Sequence, residues 1–179
     1  MIELAIVYQH MRDPQSFGPA TKKYLRDVNI PWKMRLYFLT KLPSMFWWKA
    51  RVMGLSPQAC IVRLPYSWRT KNPFHSTYFA AQCAVAELST GLLATLALQD
   101  KPSVSMLVTD VHTVFFKKAD AATFFTCQQG QEVAALVEKA VSTGEAQTIT
   151  MKSIGTKADG TIVSETHLTW SFKLRQQKN

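Results

Sequence analysis

Residues 77–98, TYFAAQCAVAELSTGLLATLAL, span twenty-two positions and carry one charge, Glu87. A helix that is apolar nearly all round is a buried helix. An unpaired carboxylate inside one is costly, and burial raises its pKa toward the range in which a general acid or base works. On helical spacing Glu87 shares a face with Cys83, Ala84, Thr90 and Gly91, extended by Ala80 and Ala94. Such a small-residue stripe admits the close approach of a sheet, a symmetry-related helix or a thin ligand. Three readings of Glu87 stay open: a catalytic or ligand-contacting acid, the partner of a buried arginine such as Arg63 or Arg69, or a solvated side chain.

The loop before this helix reads RTKNPFHS, residues 69–76. Asn72-Pro73 favours a turn, and Ser76 or Thr77 is the expected N-cap. The first helical N–H groups carry the positive end of the helix dipole, which suits a developing oxyanion. Arg69 and Lys71 sit at the rim and suit phosphates. His75, Tyr78 and Thr90 join them as expected substrate contacts. Other chemistry finds little support. No G-x-S-x-G, G-x-G-x-x-G or P-loop is present, and Cys83 falls mid-helix as a core residue. His10, His112 and His167 have no evident partners. No Cys/His cluster has zinc spacing, so neither metal nor cofactor is expected.

The elements that must position Glu87 are mostly β. Residues 60–68 read as a strand, with Pro65 marking an edge or bend. Residues 103–117 form a long β-rich run, and 122–128 a short strand. Residues 131–142 read as a helix closed by Gly144. Strand patterns at 145–154 and 161–174 bracket Asp159-Gly160, a hairpin signal. In the last strand Leu168, Trp170, Phe172 and Leu174 alternate with polar residues, as in a half-buried antiparallel strand. A long apolar helix among such strands must be wrapped by their sheet, and it is therefore read as a core helix rather than a membrane span.

The chain has 179 residues, 47% of them apolar, and three widely spaced cysteines. That composition excludes disordered, collagen-like and disulfide-scaffold classes. The amino terminus lacks the basic and apolar regions of a signal peptide, so a cytoplasmic location is expected. The net charge is +9, and residues 21–51 hold eight Lys/Arg against Asp27 alone. Seven aromatic residues share that stretch, read as two short helices near 32–41 and 44–53, the second capped by Gly54. Either the aromatics pack on the main domain beneath solvated lysines, or the segment forms a basic-aromatic lip at a ligand mouth or an acidic lipid surface. No nucleic-acid signature accompanies the charge, and nucleic acid is not expected as a partner. The expected division is residues 1–56 as a helical extension and 57–179 as the main domain. Phe115, Phe116, Phe124 and Phe125 serve either a tail-binding site or the core.

The run from Asn72 through His75, Tyr78, Phe79 and Ala80 to Glu87 resembles the loop and central helix of hot-dog thioesterases. Their pattern is Asn-Pro, a loop, His-Gly-Gly, then small and apolar residues up to an acid. Asn72 and Glu87 stand fifteen positions apart, as in that pattern. PYSWRTKNPFHSTYFAAQCAVAELSTG is most similar to a thioesterase-like branch of that superfamily, domain of unknown function 4442, and the likeness covers roughly residues 58–175. It implies an α+β hot-dog fold, a curved antiparallel β-sheet wrapped around one long central helix, with the N-terminal helices as an addition. It also implies a homodimer with active sites at its interface, and acyl-CoA or acyl-carrier thioesters as substrates. Glu87 takes the acidic position, as general base or nucleophile. Asn72 would orient water or substrate, and the backbone N–H of Phe79 or Ala80 would polarise the carbonyl. The His-Gly-Gly triplet is replaced by Tyr78-Phe79-Ala80, which loses glycine's close approach. The alternative is a non-catalytic acyl- or lipid-binding module, and a third role is peripheral membrane contact through the basic segment.

Overall fold

Three prolines start three helices in the computed structural model, which describes residues 17–175. They are α1 (Pro19–Val28), α2 (Pro31–Lys41) and α3 (Pro43–Trp47). Proline suits a first helical position because its missing N–H would have no partner there and its φ is already helical. Helix α2 matches the expected segment, whereas α1 had no counterpart among the expected helices. The second expected helix, 44–53, ends early at Trp47. Lys49 turns the chain with a φ of 57°, and Arg51–Leu55 becomes strand β1. Gly54 lies inside that strand at a register shift rather than capping a helix. The amino-terminal run read for a signal peptide, with His10, lies outside the described residues.

Two side chains fasten α1 to the rest. Asp100 accepts from the Ala20 and Thr21 backbone N–H groups at 3.0 and 2.9 Å and from the Thr21 hydroxyl at 2.7 Å. These bonds, the Thr21 N–H first, hold its carboxyl below the ordinary value. At the other end Asn29 exchanges two bonds of 2.9 Å with the backbone of Leu55 in β1. Val28, Met34, Phe38 and Met45 consequently join the same core cluster as the sheet.

The remaining elements are β2 (Cys60–Leu64), α4 (Phe79–Ala97), β3 (Val104–Phe115), β4 (Thr123–Cys127), α5 (Gly130–Thr143), β5 (Gln147–Lys157) and β6 (Ile162–Leu174). The strands form one antiparallel sheet in the order β1-β2-β4-β5-β6-β3. Strand β2 stops at Leu64, just before Pro65, which has no N–H to give the ladder. The long β3 run is interrupted by a register shift between Val108 and Asp110. The hairpin turns at Asp159-Gly160, where Gly160 takes a φ of 84° and Asp159 accepts from the Thr161 N–H. In β6 Leu168, Trp170 and Phe172 are buried, as their alternation predicts.

Helix α4 packs on β2, β4 and β5, and α5 packs beside it. It is long and apolar enough to cross a membrane, yet most of that span is buried inside the fold. Val85, Ala86, Leu93 and Ala94 meet Val62, Phe125 and Met151 in the core. Burial of such side chains, about 1.5–3 kcal/mol each, is what holds the sheet around the helix. Cys60 faces Cys127 across β2–β4, and both are buried free thiols that burial pushes up in pKa, Cys127 to about 11.

Candidate active site

The loop from Pro65 to Tyr78 is wired by its own polar groups. The Thr70 hydroxyl donates to the Pro65 carbonyl at 2.7 Å and accepts from the Ser67 N–H at 3.0 Å. The Asn72 Oδ1 atom accepts from the N–H groups of Phe74 and Ser76 at 3.0 and 3.2 Å, while its Nδ2 donates to the Ser76 hydroxyl at 3.2 Å. Asn72 therefore organises the loop and keeps one amide hydrogen for another partner. His75 is exposed, in a left-handed conformation with φ of 57°.

Neither expected N-cap caps α4. Thr77 is buried, and its N–H and hydroxyl both donate to the Ala119 carbonyl at 2.8 Å. Ser76 belongs to the Asn72 turn. Tyr78 occupies the cap position without a side-chain bond to the helix. The backbone N–H groups of Phe79 and Ala80 consequently have no acceptor among the described residues, and they carry the dipole's positive end. The Phe79 side chain is exposed and lies edge-on to Tyr78, ring centroids 5.0 Å apart. Gln82, buried in the next turn, donates Nε2 to the Thr77 carbonyl at 3.0 Å while its Oε1 has no partner among the described residues.

Two turns further on stands Glu87. It is half-buried and makes no hydrogen bond or ion pair among the described residues. Neither arginine considered as a partner reaches it. Arg63 lies on β2 opposite Arg51 and Phe124, and Arg69 stacks over Trp68 and Trp47 at 4.5 and 5.2 Å. Burial with no compensating cation raises the carboxyl pKa above its ordinary 4.5. The folded state therefore holds this proton more tightly than the unfolded chain. Relative to Glu87→Gln, wild-type stability must fall as pH climbs from 4.5 and level off above the folded pKa. Paired thermal melts between pH 4 and 8 check this, and a constant separation of the two curves would contradict it.

The small-residue stripe meets the sheet. A Cβ at Gly91 would lie 3.4 Å from the Trp170 ring and 3.2 Å from Glu87 Oε1. The Trp170 Nε1–H donates to the Thr90 hydroxyl at 3.0 Å, and that hydroxyl donates to the Glu87 carbonyl at 2.9 Å. Thr90 is fully buried and thus supports the turn that carries Glu87. Thr90→Val would strip a buried indole N–H of its acceptor, at a cost of about 1–3 kcal/mol. Urea unfolding should show a lower midpoint at unchanged slope; an unmoved midpoint would deny the bond a role. Beside Glu87, Cys83 Sγ lies 3.5 Å from the Thr113 hydroxyl of β3, which in turn lies 3.1 Å from the Thr166 hydroxyl of β6. The Glu87 flank of α4 thus looks toward β6 and β3, the free edge of the sheet.

The expected site residues fall into two groups. Asn72, His75, Tyr78, Phe79 and Ala80 are gathered at the α4 amino terminus, with Arg69 and Lys71 beside them. Thr90 belongs to the Glu87 turn, and Glu87 lies eight residues, about 12 Å, down the axis from Phe79. Four clefts of the surface are lined elsewhere, with neither Glu87 nor Asn72 in their walls. Phe125 is core, whereas Phe115 and Phe116 are exposed at the end of β3. Among the described residues no group of three or more His, Cys, Asp or Glu could hold a metal. The Trp170–Thr90 bond and the Trp47–Trp68–Arg69 stack escaped the sequence reading. The adjacency of Trp68 to Arg69 was the only local hint of the second.

The domain of unknown function DUF4442 matches residues 32–172. The chain belongs to the DUF4442 family. Its fold is the hot-dog fold, shared with many solved structures. A probable thioesterase of Pseudomonas aeruginosa is 16% identical, with a TM-score of 0.66 over 82% of this chain and 97% of that one. A thioesterase of Haemophilus influenzae is 14% identical, with a TM-score of 0.60 over 80% and 92%. A thioesterase family protein of Silicibacter pomeroyi is 14% identical, with a TM-score of 0.56 over 85% and 99%. No curated protein matches the DUF4442 chain in sequence.

Proposed function

We propose that this DUF4442 protein hydrolyses acyl thioesters, acyl-CoA or an acyl carrier, in a homodimer whose two sites are each built from both protomers. The observation that carries the reading is a half-buried carboxylate on the same helix as two N–H groups, the first with no cation and the others with no acceptor among the described residues. The hot-dog relatives described as thioesterases support it.

The chemistry needs one water. Glu87 takes its proton, and the oxygen adds to the thioester carbonyl carbon. The oxyanion is held by the Phe79 and Ala80 N–H groups. Collapse re-forms the carbonyl and breaks the C–S bond. The thiolate leaves with the proton from Glu87, giving a carboxylic acid and a thiol. In this reading Asn72's remaining amide hydrogen orients the water or the carbonyl. Arg69 and Lys71, in the loop before α4, in this reading meet the phosphates of a carrier.

Geometry argues for two protomers. A carbonyl with its donor and an attacking water spans about 6 Å, whereas Phe79 and Glu87 of one helix are about 12 Å apart along the axis. The lean of helical side chains toward the amino terminus shortens that gap without closing it. A second helix running antiparallel would bring its own amino terminus opposite Glu87. Strand β3 supplies the means. It is a twelve-residue edge strand with exposed Leu107, Val111, Val114 and Phe115, the kind of edge that pairs with another chain.

The test is direct. Purified protein is offered acyl-CoA esters of graded chain length, and released thiol is followed. Turnover is expected for at least one class. A dimer that releases no thiol from any ester, yet carries a bound acyl ligand by mass spectrometry, would replace this reading with the acyl-binding module.

A further inference from the structure

The far edge of the sheet from β3 carries the chain's most unusual surface. Helix α2 is apolar on two opposite sides. Met34 and Phe38 face the core, 7% and 2% exposed. Trp32, Leu36 and Leu39, at spacings of four and three, form a second ridge that is 65%, 54% and 51% exposed. Among the described residues nothing covers this ridge. Arg35, Lys49 and Arg51 line a cavity together with Trp32, all three exposed and none paired with a carboxylate among the described residues, and Lys22, Lys23 and Lys41 add unpaired positive charge to the same segment. The one acid of the segment, Asp27, is already held by Lys33 at 2.7 Å and Arg26 at 3.4 Å.

That cavity, of about 440 Å³, lies beside the ridge, between α2 and β1, and shares Trp32 with it. Its walls include Trp32, Arg35, Phe38, Lys49, Arg51 and Met53, cations above an apolar floor. The combination is that of an amphiphile with an anionic head. A ridge of Trp and Leu seats in the headgroup–acyl boundary, and surrounding cations draw it to anionic lipid. A soluble polyanion would engage the cations and leave the ridge in water. A second copy of the chain would have to bring identical positive charge against positive charge.

We propose that the α2 face is a peripheral docking surface for anionic bilayers, with Trp32, Leu36 and Leu39 entering the interface and the α2–β1 cavity receiving a phospholipid headgroup. The surface lies on the opposite edge from β3, so pairing at β3 leaves it free. It stands apart from the hydrolysis reading, since none of its residues belongs to the Glu87 site.

The full chain is floated with vesicles of phosphatidylcholine alone and of phosphatidylcholine mixed with phosphatidylserine. Binding to the mixed vesicles should be at least about tenfold tighter and should weaken as salt is raised. The triple variant Trp32→Ser, Leu36→Ser, Leu39→Ser and the double variant Lys49→Glu, Arg51→Glu should each lose about tenfold. Both should keep the wild-type circular dichroism and wild-type hydrolysis of a soluble thioester. Glu87→Gln should float like wild type, which separates this proposal from the catalytic one. No flotation with anionic vesicles, flotation unchanged in the triple variant, or retention on nucleic acid without flotation would each overturn it. So would a shift of oligomeric state in the triple variant with no vesicle binding in the wild type.

Discussion

Glu87→Gln is expected to lower kcat for thioester hydrolysis by about 10²–10⁴-fold, with KM little changed. The amide keeps the shape of the carboxyl and its place beside Gly91 and Trp170, but it has no basicity with which to take a proton from water. Because Glu87 has no ion pair to lose among the described residues, the variant should fold as well as wild type or better at neutral pH. A collapse of kcat therefore cannot be assigned to unfolding. Turnover should also fall in the wild type as pH drops through the raised carboxyl pKa, and this acid limb should vanish from the variant's residual rate. Steady-state kinetics across pH tests both, and equal kcat for the two proteins would remove Glu87 from the reaction.

Phe79→Pro should cost about 10²–10³-fold in kcat, the loss expected when one oxyanion donor is removed. It is an unusually mild substitution for the backbone. Phe79 is the first residue of α4, where proline is favoured. Tyr78 before it has φ −56° and ψ 130°, the extended conformation that a residue preceding proline prefers. The N–H removed has no acceptor among the described residues, and the side chain removed is exposed. Phe79→Leu serves as the control, since it alters the side chain and keeps the donor. A Phe79→Pro enzyme that melts like wild type and turns over like Phe79→Leu would show that this N–H does no chemistry.

The parts of the fold set by local pattern were legible in the sequence. The alternation from Leu168 to Phe172, the Asp159-Gly160 turn and the apolar run around Glu87 each reflect a single element's own periodicity. Strand β1 was not legible, because Arg51–Leu55 has little alternation of its own and exists through pairing with β2 and the Asn29 bonds. Helix α1 likewise owes its place to Asp100, more than seventy residues away in sequence. At the site, the half-buried acid could be read from one charge in an apolar stretch. That it lacks an arginine could not, because Arg69 is drawn instead to two tryptophans that meet only in three dimensions. The N-cap reading failed for a similar reason. Thr77 has the chemistry of a cap, but the Ala119 carbonyl from a distant loop takes its hydroxyl. Tyr78, which has no side-chain bond to the helix, holds the cap position instead, and the first N–H groups of α4 have no acceptor among the described residues.

The central claim is that Glu87 of one protomer works against the α4 amino terminus of the other. The most direct measurement mixes the two crippled chains, Glu87→Gln and Phe79→Pro, by co-expression or by dissociation and reassembly. A mixed dimer pairs one intact Glu87 with one intact Phe79 N–H across the interface, and its other site lacks both. Random reassembly at equal amounts should therefore restore about a quarter of wild-type turnover. A mixture that stays at the level of its two parents would place both groups of each site in a single chain and contradict the account.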